Sequence, residues 1–246
     1  MICKRMIVIF GCMLLLTSTA FALTGREIME KNDALPEAKT AVSQVLMLIH
    51  QGSKVVEKEF EIKSKKYEND EDKTLITFTR PTQIKLLTHS HKDRDDDQWL
   101  RLSSGKIKRI ASSDKGKSFV NSHFYYEDLT SRDIDKFDYT YIGDESLNGV
   151  DCYKVEGIKK KDRVYSKSVL YVRKSDFFVI RVDLHKKDEF HKYIEYFDIR
   201  PVSGILTAHQ LVMSLSNGKG KTELKVNAVE YDKGINDSAF NKEAIR

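Results

Sequence analysis

The feature that most constrains the fold is a succession of short β-strand patterns running from Val42 to Tyr231. In residues 178–184 apolar side chains recur at every second position, and residues 54–64 alternate with Val56, Lys58, Phe60 and Ile62 on one face, which is the period of a strand with one buried face. Residues 42–50 and 166–173 are apolar on both faces, as in a strand that is covered on both sides. Because mostly short turns join consecutive segments, neighbouring strands are predicted to pair antiparallel.

The number of these segments predicts a mainly β (α+β) fold. About 11 strands are expected, with a first helix over residues 25–32 and a second short helix over residues 126–134. An antiparallel sheet with so many strands curls into a barrel or a strongly curved half barrel. The chain has 12 glycines and 3 prolines, no internal repeat and no linker-like stretch. Residues 23–246 are therefore predicted to form a single domain.

The first 22 residues have the organisation of a cleaved export signal. Lys4-Arg5 precedes an apolar run over residues 6–16, and Ala20-Phe21-Ala22 is a cleavage site of the A-x-A type. The apolar run is too short for a membrane span, which needs about 20 residues. Cys12 lacks the small-residue box that precedes a lipid-modified cysteine. The sequence thus predicts export, cleavage after Ala22 and a soluble mature protein without a lipid anchor.

The cysteine and charge content argue against several classes of site and partner. Once Cys3 and Cys12 leave with the signal, Cys152 is the only cysteine, so no internal disulfide can form. Cys152 lies in an alternating strand pattern, which favours a buried structural thiol over a catalytic one. The mature chain has 40 basic residues against 37 acidic ones. Export together with a nearly balanced charge argues against nucleic acid as the main partner.

The most distinctive stretch runs from Gln98 to Leu129 and contains Trp99, the only tryptophan. Two short alternating runs, residues 99–102 and 106–110, flank a turn at Ser103-Ser104-Gly105, which predicts a β-hairpin. Four further aromatic residues follow within the stretch, and such clusters usually anchor a core because large aromatic side chains dominate burial energetics. These four residues are Phe119, Phe124, Tyr125 and Tyr126.

This stretch resembles the motif of the outer-membrane lipoprotein-sorting protein family, the periplasmic carriers related to LolA and LolB. The resemblance rests on Trp99-Leu100-Arg101-Leu102, on Lys108-Arg109-Ile110 and on residues 119–129, FVNSHFYYEDL. A weaker similarity at Phe78-Thr79-Arg80-Pro81 extends the resemblance to residues 78–129. The chain departs from the family pattern at Ser103-Ser104, where the family has Pro-Ala, and at Asn121 and His123, where it usually has Gly and Asp. The resemblance implies an unclosed β-barrel in which short helices cap an apolar cavity, and a periplasmic location.

Other motifs that could indicate a metal or catalytic site have simpler structural explanations. His89 and His91 would point to one face of a strand, as in some zinc sites, but the sequence fixes no third ligand. The adjacent carboxylates Glu127 and Asp128 do not face each other on a helix and complement its dipole more simply. The sequence contains no G-x-S-x-G elbow and no glycine-rich phosphate loop. We therefore expect no enzyme activity, no metal and no cofactor.

These observations favour a periplasmic carrier that binds lipid or lipoprotein acyl chains in an apolar cavity and moves them between membranes or to and from an exporter. The segments 111–123 and 126–134 would form a lid over this cavity. The residues expected to line the cavity or its rim are Trp99, Leu102, Phe119, Phe124 and Tyr126.

Two other functions stay open at this point. The chain could be an accessory module that docks on an inner-membrane transporter without a ligand of its own, which predicts an exposed apolar patch. It could also be a secreted hydrolase, which predicts a cleft with converging titratable groups.

Overall fold

In the computed structural model of the protein, residues 22–68, 71–130, 133–161 and 164–246 are described, so all of the predicted export signal, residues 1–22, except Ala22 lies outside them. The described residues contain one α-helix, α1 (Gly25–Asp33), and thirteen strands. The strands are β1 (Thr40–Gln51), β2 (Lys54–Lys65), β3 (Lys73–Arg80), β4 (Lys85–His89), β5 (Asp97–Arg101), β6 (Ile107–Arg109), β7 (Phe137–Leu147), β8 (Val150–Lys159), β9 (Lys167–Arg173), β10 (Val179–Lys186), β11 (Glu189–Val202), β12 (Ile205–Leu215) and β13 (Gly220–Tyr231).

All thirteen strands belong to one antiparallel sheet in the order β6-β5-β4-β3-β2-β1-β13-β12-β11-β10-β9-β8-β7. The two edge strands, β6 and β7, do not pair with each other, so the sheet is not closed. The predicted mainly β, unclosed architecture is confirmed. The sheet has 13 strands instead of about 11, and the antiparallel pairing of β5 with β6 confirms the predicted hairpin over residues 99–110.

Helix α1 begins where the sequence predicts and packs on edge strand β7. Thr24 and Glu27 form a capping box, which satisfies free backbone N–H groups at the start of the helix. The helix buries Ile28 and Met29. A Cβ atom on Gly25 would lie 2.6 Å from the backbone C of Thr140, so only glycine allows this close approach of helix and strand.

The second predicted helix, residues 126–134, is not an α-helix. The segment begins with a 3-10 turn over Tyr126–Leu129, and a second 3-10 turn covers Ile134–Lys136. Thr130 has extended backbone angles, so the first turn ends after four residues. Residues 131 and 132 lie outside the described part of the chain.

Both faces of the sheet carry apolar clusters. We call inner the face that contacts α1 and residues 110–129. One inner cluster is built on β1–β5 and includes Phe60, Phe78 and Leu86; the other is built on β8–β13. The outer face has two smaller clusters, one around Leu87 under the C-terminal turns and one around Cys152. The predicted burial of Cys152 is confirmed, and burial raises the pKa of its thiol.

Candidate functional site

The crossing segment, residues 110–130, connects β6 to the second half of the sheet and lies on the inner face. It contains a tight turn in which the Ser122 backbone N–H donates to the Phe119 carbonyl at 2.9 Å. The central residues Val120 and Asn121 both have positive φ, as in a type I′ turn. Asparagine tolerates this conformation better than most residues. Asn121, which stands where the resembled family usually has glycine, is therefore compatible with a turn that glycine would also favour.

The first half of the inner face is filled by side chains of the crossing segment. The ring centroid of Phe119 lies 5.7 Å from that of Phe78 and 5.6 Å from that of Tyr126. Phe119 and Tyr126 are both buried in the cluster built on β1–β5. The aromatic side chains therefore pack against these strands as a solid core.

A cavity of about 250 Å³ lies on the second half of the inner face, next to the end of the crossing segment. Its floor is apolar and comes from three neighbouring strands, with Val182 and Leu184 on β10, Ile194 on β11 and Met213 on β12. Polar residues on the other side include Glu127, Asp128, Lys159 and Lys167. The cavity thus combines an apolar floor with a charged wall.

A larger groove of about 630 Å³ lies beside α1 and reaches β12. Its apolar lining includes Met29, Leu35, Pro36, Ile205 and Leu206. Its polar lining is Asn32, Asp33, Glu37, Lys66, Asp72, Asp133 and Asp135. Tyr196 lines both the cavity and the groove. One side chain therefore stands between two spaces on the same face of the sheet.

A buried ion pair fixes the crossing segment to β11. The Lys192 Nζ donates to Asp128 Oδ2 at 2.7 Å and to the His123 carbonyl at 2.8 Å, and the Lys192 side chain is fully buried. The Tyr165 hydroxyl donates to Asp128 Oδ1 at 2.6 Å. The ring centroid of Tyr125 lies 3.5 Å from Lys192 Nζ. We call these residues the Lys192 network.

The surroundings of this network shift the pKa of its groups. Burial lowers the pKa of Lys192, and the nearby Asp128 carboxylate opposes the shift. Burial and the same carboxylate raise the pKa of the Tyr165 hydroxyl. The lysine is buried only because it is paired and hydrogen-bonded, as buried charges must be.

A second chain of charges joins the crossing segment to the far edge of the sheet. Lys159 Nζ, at the end of β8, lies 2.8 Å from Glu127 Oε1 and 3.6 Å from Asp95 Oδ1. Asp95 in turn lies 2.8 Å from Lys115 Nζ. Burial raises the pKa of Glu127, and Lys159 opposes that shift. Glu127 and Asp128 therefore bind two different lysines.

The five residues predicted to line the cavity occupy three apolar clusters. Leu102, Phe119 and Tyr126 pack in the inner cluster on β1–β5, and Phe124 packs in the inner cluster on β8–β13. Trp99 lies in the outer cluster with Leu87, on the opposite face of the sheet. The structure brings three of the five together, and contact of any of them with a ligand stays a prediction.

The cavity floor was not predicted from the sequence, although part of its signal was present. The alternating face of residues 178–184 contains Val182 and Leu184, and that of residues 211–215 contains Met213. Nothing in the local sequence shows that these faces meet under the crossing segment. Lys192 has no local signal at all, since its carboxylate partner is 64 residues away.

His89 and His91, the two histidines considered as zinc ligands, each contact another group of the protein. His89 Nε2 lies 2.7 Å from the Phe240 carbonyl oxygen. His91 Nε2 lies 3.0 Å from Asp97 Oδ2. Within residues 22–68, 71–130, 133–161 and 164–246, no group of three or more His, Cys, Asp or Glu side chains is placed to hold a metal ion. Over the same ranges, no helix is both long enough and apolar enough to cross a membrane.

Comparison with known proteins places this geometry among related folds. A family model described as "Uncharacterized protein" matches residues 70–246, and no curated protein matches the sequence. A DUF1329 family protein from Desulfovibrio piger is 29% identical, with a TM-score of 0.86 over 90% of this chain and 98% of its own.

Two further solved structures extend the comparison. An outer membrane lipoprotein-sorting protein domain from Vibrio parahaemolyticus is 28% identical, with a TM-score of 0.86 over 90% of this chain and 97% of its own. A LolA superfamily protein from Nitrosomonas europaea shares the fold at 17% identity, with a TM-score of 0.70 over 91% of this chain and 100% of its own.

Proposed function

The chain belongs to the LolA-like family of outer-membrane lipoprotein-sorting proteins, and on this premise we propose that it is a periplasmic carrier of acyl chains. It would bind the acyl chains of a lipid or a lipoprotein and release them at another membrane or at an exporter. The observation that carries the proposal is the apolar-floored cavity, which meets a second space at Tyr196.

The size of the two spaces indicates how a chain would lie. The cavity alone, about 250 Å³, is smaller than the roughly 300–1,000 Å³ of most ligand pockets. The groove beside α1, about 630 Å³, falls within that range. A long acyl chain would therefore extend from the cavity past Tyr196 into the groove. Each buried methylene would contribute about 0.8 kcal/mol, so about ten would contribute roughly 8 kcal/mol.

Binding would require movement of the crossing segment, which acts as the lid in this proposal. Its apolar contacts on the first half of the inner face and the Lys192 network on the second half hold it closed. Glu127 and Asp128 on the cavity wall are each engaged with a lysine, which supports binding without bond cleavage. Export and the periplasmic location follow from the predicted signal and the family.

The first test is native mass spectrometry of the signal-free protein purified from a periplasmic extract, followed by solvent extraction and lipid analysis. We expect about one acyl species per protein. Met213→Trp places a large ring in the cavity floor and should yield protein without this species. Ile180→Trp makes a similar enlargement in the outer cluster around Cys152 and should retain it.

An apo mass that stays unchanged after incubation with lipids and lipopeptides would refute the carrier function. In that case a module that docks on an inner-membrane transporter becomes the better hypothesis. A lipid that binds equally to the Met213→Trp variant would show that the ligand lies elsewhere.

A further inference from the structure

A basic pocket of about 490 Å³ lies at the rim of the sheet near the C-terminal turns. Lys85 on β4 and Arg101 on β5 line it together with Thr77, Gln83 and Arg246. Lys85 and Arg101 point away from the inner face, because their neighbours Leu86 and Leu100 pack in the inner cluster. The two cations are therefore on the other side of the sheet from the acyl cavity, while Phe78 of the inner cluster borders the pocket at the rim.

The register of the sheet places two like charges directly opposite each other in this pocket. Thr77 on β3 pairs with Lys85, and Lys85 pairs with Arg101. Side chains directly opposite on neighbouring antiparallel strands have Cβ atoms about 4.5–5.5 Å apart, and like charges there are destabilising. The sheet thus holds an electrostatically unfavourable pair.

No aspartate or glutamate side chain of the described residues lines this pocket. Within the described ranges, Lys85 and Arg101 contact backbone carbonyl oxygens. Lys85 Nζ donates to the Ala244 carbonyl at 2.6 Å. The guanidinium of Arg101 makes one long contact, 3.5 Å from Nη1 to the Gln83 carbonyl oxygen. Its Nε is buried and lacks a hydrogen-bond partner among the described residues.

We propose that this pocket binds the phosphate group of an organic phosphate, with Arg101 and Lys85 as its principal contacts. A guanidinium fork matches the oxygens of a phosphate, and a lysine ammonium adds a point charge. Thr77 and Gln83 supply neutral donors beside the two cations. The pocket volume leaves room for an organic part next to the phosphate. This site is separate from the acyl cavity and does not depend on the carrier function.

The orphan Nε of Arg101 provides a direct reporter. Protein with ¹⁵N-labelled arginine is titrated with glycerol 3-phosphate and with inorganic phosphate at constant ionic strength, with chloride as the reference anion. We expect a saturable shift of one arginine Nε signal, which disappears in Arg101→Gln. Losing charge-assisted hydrogen bonds should weaken binding by about tenfold or more in the Lys85→Gln variant.

The matched control is Lys108→Gln on β6, which removes one exposed positive charge outside the pocket. This variant should bind both phosphates as the parent protein does. If Arg101→Gln fails to fold, Lys85→Gln and Arg101→Lys serve instead, and both should bind more weakly than the parent.

The arms of the titration distinguish the sources of the phosphate. Tighter binding of glycerol 3-phosphate than of inorganic phosphate supports an organic phosphate. Binding to phosphatidylcholine vesicles only when they contain phosphatidic acid, with loss in Arg101→Gln, supports a lipid headgroup as its source. The proposal is overturned if no Nε signal saturates, or if Arg101→Gln and Lys108→Gln weaken binding equally.

Discussion

Replacing Lys192 with methionine should destabilise the fold by about 3 kcal/mol at neutral pH. Removing one partner of a buried ion pair costs roughly 3–5 kcal/mol because the other charge stays buried and uncompensated. Asp128 would keep the Tyr165 hydroxyl at 2.6 Å and the Tyr125 N–H at 2.7 Å. These two hydrogen bonds place the expected loss at the lower end of the range.

The pH dependence of this loss follows from the carboxylate left behind. The carboxylate left behind in the variant is buried without a cation, and an unpaired buried carboxylate is costly only while it is charged. A carboxyl group with a raised folded-state pKa favours the folded state below its unfolded pKa, and this contribution is lost as pH rises through the folded-state pKa. The stability difference between parent and variant should therefore be largest near neutral pH and shrink toward about pH 4.

Urea unfolding followed by the fluorescence of Trp99, the only tryptophan, measures this difference at both pH values. Adding Asp128→Asn to Lys192→Met should recover part of the loss at neutral pH. The matched control is Lys154→Met, whose partner Glu145 is 42% exposed, and it should cost less than about 1 kcal/mol. A loss below about 1 kcal/mol for Lys192→Met, or a loss independent of pH, would refute the reasoning.

Three further outcomes follow from other contacts. Although burial opposes it, hydrogen bonds from Arg94, Arg109 and His91 hold the pKa of Asp97 well below its usual range. Asp97→Asn should therefore cost about 1–3 kcal/mol at neutral pH in urea unfolding, and this loss should vanish as pH falls below the ordinary carboxyl range. Gly25→Ala should lower Tm because its Cβ meets the β7 backbone, whereas Gly116→Ala, which meets only the end of the Val164 side chain, should leave Tm nearly unchanged. Tyr196→Ala should join the cavity to the groove and raise the affinity for palmitoyl over octanoyl chains in a competition assay.

The sequence was most informative where structure depends on local periodicity. Alternation located strands such as β2 and β10, and the first helix predicted over residues 25–32 coincides with α1. The hairpin of β5 and β6 was also located, although β6 has only three residues. Residues 126–134 have helical composition, but their carboxylates bind lysines on the sheet and the turn ends at Thr130.

The candidate site was harder to predict because it depends on contacts between distant parts of the chain. The aromatic residues of the motif were recognised, but no sequence rule separates a side chain that fills a core from one that lines a cavity. The cavity floor joins Val182, Ile194 and Met213 from three strands, and its position depends on where Lys192 fixes the crossing segment. Register and ion pairing over such separations are set by tertiary packing.

The pairing of β1 with β13 has a consequence for how the protein folds. Among the described strands, every other pairing joins neighbours in sequence, while Ala41 on β1 lies opposite Tyr231 on β13. Each half of the sheet is thus a meander of low contact order, and one long-range pairing joins the halves. A circular permutant with its ends linked and new termini in the crossing segment would make chain order and sheet order identical. Such a permutant should fold faster than the natural chain, because no strand would have to wait for a partner from the other end of the sequence.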